Sequence, residues 1–326
     1  MLTSVKDCQG SQGLQLVNDK IQEMARLFRR KPIRETRTPA PAITSAEYEI
    51  PWRPVIWSNS TRESMLRGLK RFHLRTPDVS CLKIMLHGPI GAGKSSFINS
   101  VNTTLQGRIT TLALAEASAG TSFTTKLKIH KLKTGEPGCF YPFVFTDIMG
   151  LEPGQGHGVH TDDIFRVLRG EVKNGYTFNP VCPIAEANQH FKPDPSLKDQ
   201  VHCLVSVLPA DKISLISEDV FQKMKHVHKM AHDLGIPEVI IMSMVDKACP
   251  LVNDNLRKIY ISRNIREKIE ECSKKSGVPV DYIYPVKNYS EEVNTNIDKD
   301  ILILKAIDNI VRLASYYVEH QDYLHQ

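Results

Sequence analysis

The stretch "KIMLHGPIGAGKSSFINSV", residues 83–101, limits what this chain can fold into more than any other. Gly88-x-x-x-x-Gly93-Lys94-Ser95 is a complete phosphate-loop pattern. A short apolar run precedes it and an amphipathic run follows, which is the strand–loop–helix setting such a loop requires. The backbone along Gly88, Pro89, Ile90, Gly91, Ala92, Gly93, Lys94, Ser95 and Ser96 then turns its N–H groups toward phosphate oxygens. The positive end of the following helix adds to their pull. Glycine is needed where a Cβ would block that approach. Lys94 is placed to reach the β- and γ-phosphates, and the Ser95 hydroxyl to ligate Mg2+.

The surrounding pattern predicts the fold. "CLKIMLHG", "VHCLVSVLPAD", "EVIIMSMVD" and "VDYIYPVKN" are short apolar runs of strand type. "KLKIHKL" and "YPFVFTDI" are two more, joined by the turn "KTGEPGC". Helical periodicity covers residues 61–73, 94–105, 213–234, 254–275 and 299–318. Strands alternating with helices predict an α/β P-loop NTPase. Its sheet is mostly parallel with one antiparallel hairpin, and helices cover both faces. Residues 56–326 are assigned to this domain. An insertion near 171–200 interrupts it, and its "NPVCPIAEANQHFKPDPSLKDQ" holds four prolines and reads as exposed.

Residues 1–55 are a separate segment. Leu14, Val17, Ile21, Met24 and Phe28 give an amphipathic helix over 14–31 that ends in the basic "RLFRRK". It is expected to dock on its own domain, with a partner or a lipid surface as the alternatives. A linker with prolines at 32, 39, 41, 51 and 54 follows, and it ends near Trp52 and Trp57, the two tryptophans of the chain. Residues 1–40 carry eight Lys or Arg against four Asp or Glu, most of the net charge of +6. A solvated basic tail is the expectation, and no nucleic-acid partner is expected. No run of about 18 apolar residues occurs, so no membrane span is expected. The N-terminus lacks an apolar signal region. Seven cysteines without a C-x-x-C pair fit reduced thiols and a cytoplasmic setting.

More of the nucleotide site is legible downstream. In "FVFTDIMG", Asp147 ends an apolar run where a water-bridged Mg2+ contact belongs, and Gly150 completes an Asp-x-x-Gly motif whose glycine N–H senses a γ-phosphate. The glycine-rich "LEPGQGHGVHTDD" after it reads as a mobile switch loop. Between the two motifs, "AGTSFTTKLKIH" offers Thr124 as the threonine that closes over Mg2+, with Thr121 and Thr125 behind it. Each of these also suits a plain β-strand. In "EVIIMSMVDKACP", Asp246 stands where a carboxylate accepts two hydrogen bonds from a guanine edge and repels adenine. The usual pattern there is Asn/Thr-Lys-x-Asp, and this chain has Ser243-Met244-Val245-Asp246. Methionine can still cover a purine face. "YPVKNYS" offers Val286, Lys287 and Asn288 to close over the base.

The runs "LHGPIGAGKSSFINSVN", "SFTTKLKIHKL", "FTDIMGLEPG" and "YPVKNYSEE" resemble the interferon-induced protein 44 and 44-like family, over roughly residues 50–320. The resemblance implies a cytoplasmic, guanine-nucleotide-binding, dynamin-like or septin-like GTPase domain linked to antiviral innate immunity. It implies GTP or GDP and Mg2+ as cofactors, with phosphate contacts at Gly88 to Ser95. It further implies Thr124 as switch threonine, Asp147 as the Mg2+-side carboxylate and Asp246 as base reader. Other members look closer to Thr-Lys-Val-Asp at "SMVD". Longer members carry an upstream TLDc-type domain, and none is expected within the roughly 50 residues before this region.

Catalysis is less well provided for. Hydrolysis of the phosphoanhydride needs a positioned water and charge stabilisation. In Ras-like domains a glutamine directly after Asp-x-x-Gly orients that water, and here the residue is Leu151. Thr124 and Gln155 remain as catalytic candidates, with His157 and His160 nearby. No arginine finger can be named. Slow hydrolysis, completed by a nucleotide-dependent homodimer, is one expectation, and a nucleotide-stabilised scaffold is the other. In "KHVHKMAH", His228 and His232 have a zinc-compatible spacing, but a solvated helix face is expected.

Overall fold

The computed structural model describes residues 46–113 and 124–325. The helix expected over 14–31, and Thr121, lie outside the described residues. The described chain begins with a stretch laid along the domain. Tyr48 N donates to Ile261 O at 2.7 Å and Trp52 N to Tyr260 O at 3.0 Å. The Arg53 guanidinium donates to the carbonyls of Ile283 and Val280 at 3.0 and 3.1 Å. Trp52 meets the Tyr260 ring edge-on at 4.9 Å. Pro51 and Pro54 keep this segment extended, so its donors reach neighbouring chain instead of forming a helix.

Helix α1 (Asn59–Arg71) follows, capped by Ser58, whose hydroxyl accepts from Thr61 N at 3.1 Å. The rest alternates: β1 (Leu82–His87), α2 (Lys94–Gln106), β2 (Lys128–Lys133), β3 (Phe140–Asp147), α3 (Thr161–Leu168), β4 (Cys203–Pro209), α4 (Glu218–Asp233), β5 (Glu238–Ser243). Two short helices, α5 (Val245–Ala248) and α6 (Pro250–Asp254), precede α7 (Arg263–Ser276), β6 (Ile283–Pro285) and the long α8 (Ile297–His325).

The six strands lie in the order β2-β3-β1-β4-β5-β6. All pairs are parallel except β2–β3, which is antiparallel. Every residue of β4 is buried, as a strand covered on both faces requires. One helix layer consists of α1, α2 and α8, with α8 packing on α1, α2, β1 and β4 and α2 on β2 and β3, and the other of α3, α4 and α7. From β1 the chain steps to β3 on one side and later to β4 on the other. The crevice at the carboxyl end of β1 is therefore the switch point where open α/β sheets bind ligands. The phosphate loop leaves β1 at that point.

Several elements differ from the sequence pattern. The helix expected from 213 starts at Glu218, because residues 210–212 form a 3-10 turn and Ser217 caps the helix by accepting from Val220 N at 3.4 Å. The helix expected over 254–275 begins only at Arg263, behind its Ser262 cap. Helix α3 occupies part of the segment read as loop; Ile164, Val167 and Leu168 form its buried face. The 171–200 insertion lies mostly at the surface but is anchored. Leu127 N donates to Tyr176 O at 2.8 Å, and Phe178 N to Thr125 O at 3.0 Å. Buried Asp163 accepts from Ile184 N at 2.7 Å and from the Tyr176 hydroxyl at 3.2 Å. Among the described residues, no helix is long and apolar enough to cross a membrane.

Candidate nucleotide site

The loop from Gly88 to Gly93 joins β1 to α2, and Gly88 has to be glycine. Its φ is +137°, and an added Cβ would stand 2.2 Å from the Val207 carbonyl oxygen of β4. Helix α2 begins after Gly93 with no capping side chain and no acidic residue in its first turn. Its N–H groups and dipole are therefore offered to an anion. Lys94 is buried, and its ammonium donates to Gly88 O at 3.1 Å and Pro89 O at 2.9 Å, folded back over its own loop.

Strand register sets Asp147 opposite Leu86, one residue short of the end of β1. There the Ser95 hydroxyl donates to Asp147 Oδ2 at 3.0 Å, and the Thr124 hydroxyl reaches the same oxygen at 3.5 Å. Asp147 is 2% exposed, and burial raises its pKa. The Lys94 ammonium opposes that shift, then Ser95, His130 and Thr124. Its other oxygen, Oδ1, is buried with no hydrogen-bond partner. An orphaned carboxylate oxygen beside two hydroxyls is an all-oxygen donor set of the kind Mg2+ takes, so these residues fit that ion.

The Asp-x-x-Gly segment runs alongside the phosphate loop. Leu151 N donates to Gly88 O at 3.0 Å, and Ile90 N to Leu151 O at 3.2 Å. Gly150 lies so close that a Cβ would meet Ile90 Cγ1 at 2.6 Å and Ile90 N at 3.0 Å. The Leu151 side chain is buried. The loop after it is held more firmly than a mobile switch would be. Gly154 N donates to Asp219 Oδ2 at 2.8 Å, and Lys223 Nζ donates to Glu152 O and Gly154 O at 2.7 and 2.6 Å. Gln155 and His157 are exposed on this loop, apart from the Ser95–Thr124–Asp147 cluster. His160 instead caps α3, its Nδ1 accepting from Asp162 N at 3.2 Å.

The far end of the cleft is built by β5 and β6. The Ser243 hydroxyl donates to Ala92 O at 2.6 Å and approaches Leu208 O at 3.3 Å, tying the end of β5 to the phosphate loop. Met244 takes a left-handed conformation, φ +56°, that turns the chain into α5 and sets Asp246 in its first turn. Asp246 Oδ2 lies 3.3 Å from Lys287 Nζ. Asn288 Nδ2 donates to Gly93 O at 3.4 Å. Val286 is different: its N donates to Met242 O at 2.8 Å and its side chain is fully buried in the core. Lys287 and Asn288, not the Val286 side chain, therefore reach the cleft. The tie made by Ser243 was missed from sequence; its only signal there is a hydroxyl at the head of Ser-x-x-Asp.

His228 and His232 stack with ring centroids 6.4 Å apart. His228 Nδ1 pairs with the buried Glu238 rather than with solvent. Among the described residues no cluster of three His, Cys, Asp or Glu is suited to a metal.

Comparison with known sequences places this site in context. Interferon-induced protein 44-like of Homo sapiens is 33% identical over 265 residues, 81% of this chain and 58% of that protein. The chain is a homologue of the interferon-induced protein 44 and 44-like family. Interferon-induced protein 44 of Homo sapiens is 33% identical over 258 residues, 79% of this chain and 58% of that protein. The Mus musculus protein of the same name is 29% identical over 256 residues, covering 78% and 60%. The chain thus spans under two thirds of the length of these relatives. No family model matches the chain. Among solved structures, Toc33 from Arabidopsis thaliana in complex with Mg2+ and GMPPNP aligns with a TM-score of 0.45 at 12% identity, covering 79% of this chain and 92% of that one. A probable GTP-binding protein engB aligns at 0.38 and 15% identity, covering 71% and 98%.

Proposed function

We propose that this chain is a guanine-nucleotide-binding switch that takes GTP or GDP with Mg2+, hydrolyses slowly or with a partner, and acts in an interferon-induced, antiviral response in the cytoplasm. One observation carries the nucleotide reading. Lys94, Ser95, Thr124 and the half-satisfied Asp147 carboxylate converge at the carboxyl end of β1, beside an uncapped helix. Mg2+ bound at Ser95, Thr124 and Asp147, the last through water, would supply neutralising charge to the phosphates. Lys94 would turn from its own carbonyls to the β- and γ-phosphates. Gly150 N and the loop N–H groups would donate to phosphate oxygens. Asp246 would take the guanine N1 and N2 hydrogens, with Lys287 and Met244 against the base. The interferon-induced part of this reading rests on the names of the relatives, and its antiviral and cytoplasmic parts rest on the sequence resemblance alone.

Titration of the full chain with fluorescent GTP, GDP and ATP in Mg2+ tests this. Guanine nucleotides should bind in preference to ATP, and Lys94→Ala should abolish binding. Equal affinity for ATP would overturn the guanine assignment. A second reading, a scaffold stabilised by nucleotide, is favoured by the buried Leu151 where a water-positioning side chain would stand. Turnover that rises with protein concentration would exclude it.

A further inference from the structure

The loop between β6 and α8 carries Lys287 and Asn288 at the base end of the cleft, and the first turn of α8 holds that loop at two adjacent residues. Lys299 is 5% exposed. Its ammonium pairs with Glu292, lies 3.4 Å from Asn288 O, and sits 5.0 Å from the centre of the Tyr289 ring. The next residue, Asp300, is 1% exposed and forms a hub. Its Oδ1 accepts from the Tyr289 hydroxyl at 2.9 Å and the Thr104 hydroxyl at 2.8 Å, and its Oδ2 from Arg62 Nε at 2.6 Å. Tyr289 N in turn donates to Ser100 Oγ of α2 at 2.9 Å.

These contacts divide the work. The Asp300 carboxylate binds α1, α2 and α8 together and reaches the loop at Tyr289, while its N–H donates to Asn296 O at 2.9 Å at the loop's end. Lys299 grips the loop on both sides of Tyr289, at the Asn288 carbonyl and the Glu292 carboxylate. The Asn288 backbone is the piece so held, and its side chain extends from it into the cleft. Its Nδ2 faces Gly93 O, and its Oδ1 is buried with no hydrogen-bond partner. An ammonium this buried is costly and persists only where its hydrogen bonds are met. Burial first, then Lys287, bring its pKa down to about 8, with Asp246 acting the other way. Lys299 therefore shares a local field with the Asp246–Lys287 pair while standing behind the loop rather than in the cleft.

We infer that Lys299 is a positioning residue for base recognition, holding Lys287 and Asn288 in register with Asp246. The inference rests on the guanine-nucleotide reading above. Its mark is selectivity: the base end of the ligand should feel a change at Lys299, and the phosphate end should not.

The test is a set of titrations on the full chain with GDP, ADP and inorganic pyrophosphate in Mg2+, with a thermal melt of each variant. Lys299→Met should lose roughly tenfold in GDP affinity, the scale of one charge-assisted hydrogen bond. Its preference for GDP over ADP should fall with it, while pyrophosphate affinity stays unchanged. Lys299→Arg should restore most of both. Should Lys299→Met fail to fold, Glu292→Gln, at a half-exposed position, should show the same split to a smaller degree. Unchanged GDP affinity in folded variants, or an equal loss for GDP and pyrophosphate, would overturn the inference. A parent chain that binds pyrophosphate yet shows no preference for GDP over ADP would instead remove the guanine reading, and the inference with it.

Discussion

At the scale of single residues, the strongest determinants are backbone crossings and buried charges. Gly88→Ala places a Cβ 2.2 Å from a carbonyl oxygen that is itself strand backbone, at a φ of +137°. Neither group can give way without moving β1 or β4. A loss of at least about 3 kcal/mol in denaturant unfolding is expected. The buried pair of Glu238 with His228 gives a prediction with a pH signature. Burial alone would raise the Glu238 pKa, but the hydrogen bond with His228 and the nearby His87 imidazole hold it at about 2. The Glu238 hydrogen bond raises His228 above its ordinary 6.5. A raised histidine stabilises fully below 6.5 and loses that contribution as pH climbs through its folded pKa. The depressed carboxylate contributes fully above 4.5 and loses it as pH falls toward 2. His228→Gln should therefore cost most stability between pH 4.5 and 6.5. The gap to the parent chain should shrink at higher pH, read by urea unfolding at several pH values. A gap that does not change with pH would show that the pair carries no linkage.

At the scale of elements, the sequence is legible wherever one physical cause acts alone. Strands β1, β3, β4 and β5 are continuous apolar runs because both faces of the sheet are covered, so they stand out without an alternating pattern. The phosphate loop is read from Gly88, Gly93, Lys94 and Ser95 because backbone geometry dictates those residues. Helix α3 was not legible, since its start lies inside a glycine-rich stretch and its eight residues form two turns only. The break of 254–275 was hidden because Asn255 and Ser262, two capping residues, sit within an otherwise periodic run. At the site, Thr124 and Asp147 come together with Ser95, and Asp246 stands in the first turn of α5 beside Lys287. Ser243 and Lys299 do not announce themselves, because each acts through a backbone carbonyl that only the folded chain brings near. Ser243→Ala removes the tie between the end of β5 and Ala92 O. It should cost about 1 to 2 kcal/mol in stability, the net worth of a buried hydrogen bond and the carbonyl left behind. GDP affinity should drop in the same variant, since β5 and the phosphate loop carry opposite ends of the site. A stability loss with unchanged GDP binding would show that the tie serves the fold alone.

At the scale of the whole molecule, the question is whether one chain can finish the chemistry. The position that would orient water holds Leu151, turned into the core, with its backbone strapped between Gly88 and Ile90. Gln155, the glutamine that follows the Asp-x-x-Gly motif most closely in sequence, is exposed on a loop tied by Lys223 and Asp219 to α4. Thr124 is already turned to Asp147. Among the described residues, none of these three side chains is turned to orient an attacking water, while Lys94, Ser95 and Asp147 stand together where the proposed phosphates and Mg2+ would sit. Binding and turnover should therefore separate. At GDP and Mg2+ about 100-fold over Kd, ligand linkage stabilises the folded chain by about 2.7 kcal/mol. For a domain of this size that should raise Tm by about 5 to 10 °C, and Lys94→Ala should abolish the shift. Turnover of GTP at low protein concentration should be barely above the uncatalysed rate in the same samples. If a second copy completes the site, activity per chain should climb with concentration, and the mass measured in a GTP analogue should exceed that in GDP. Rapid turnover per chain that is independent of concentration would overturn this division, because it would require a water-positioning group from within the single chain.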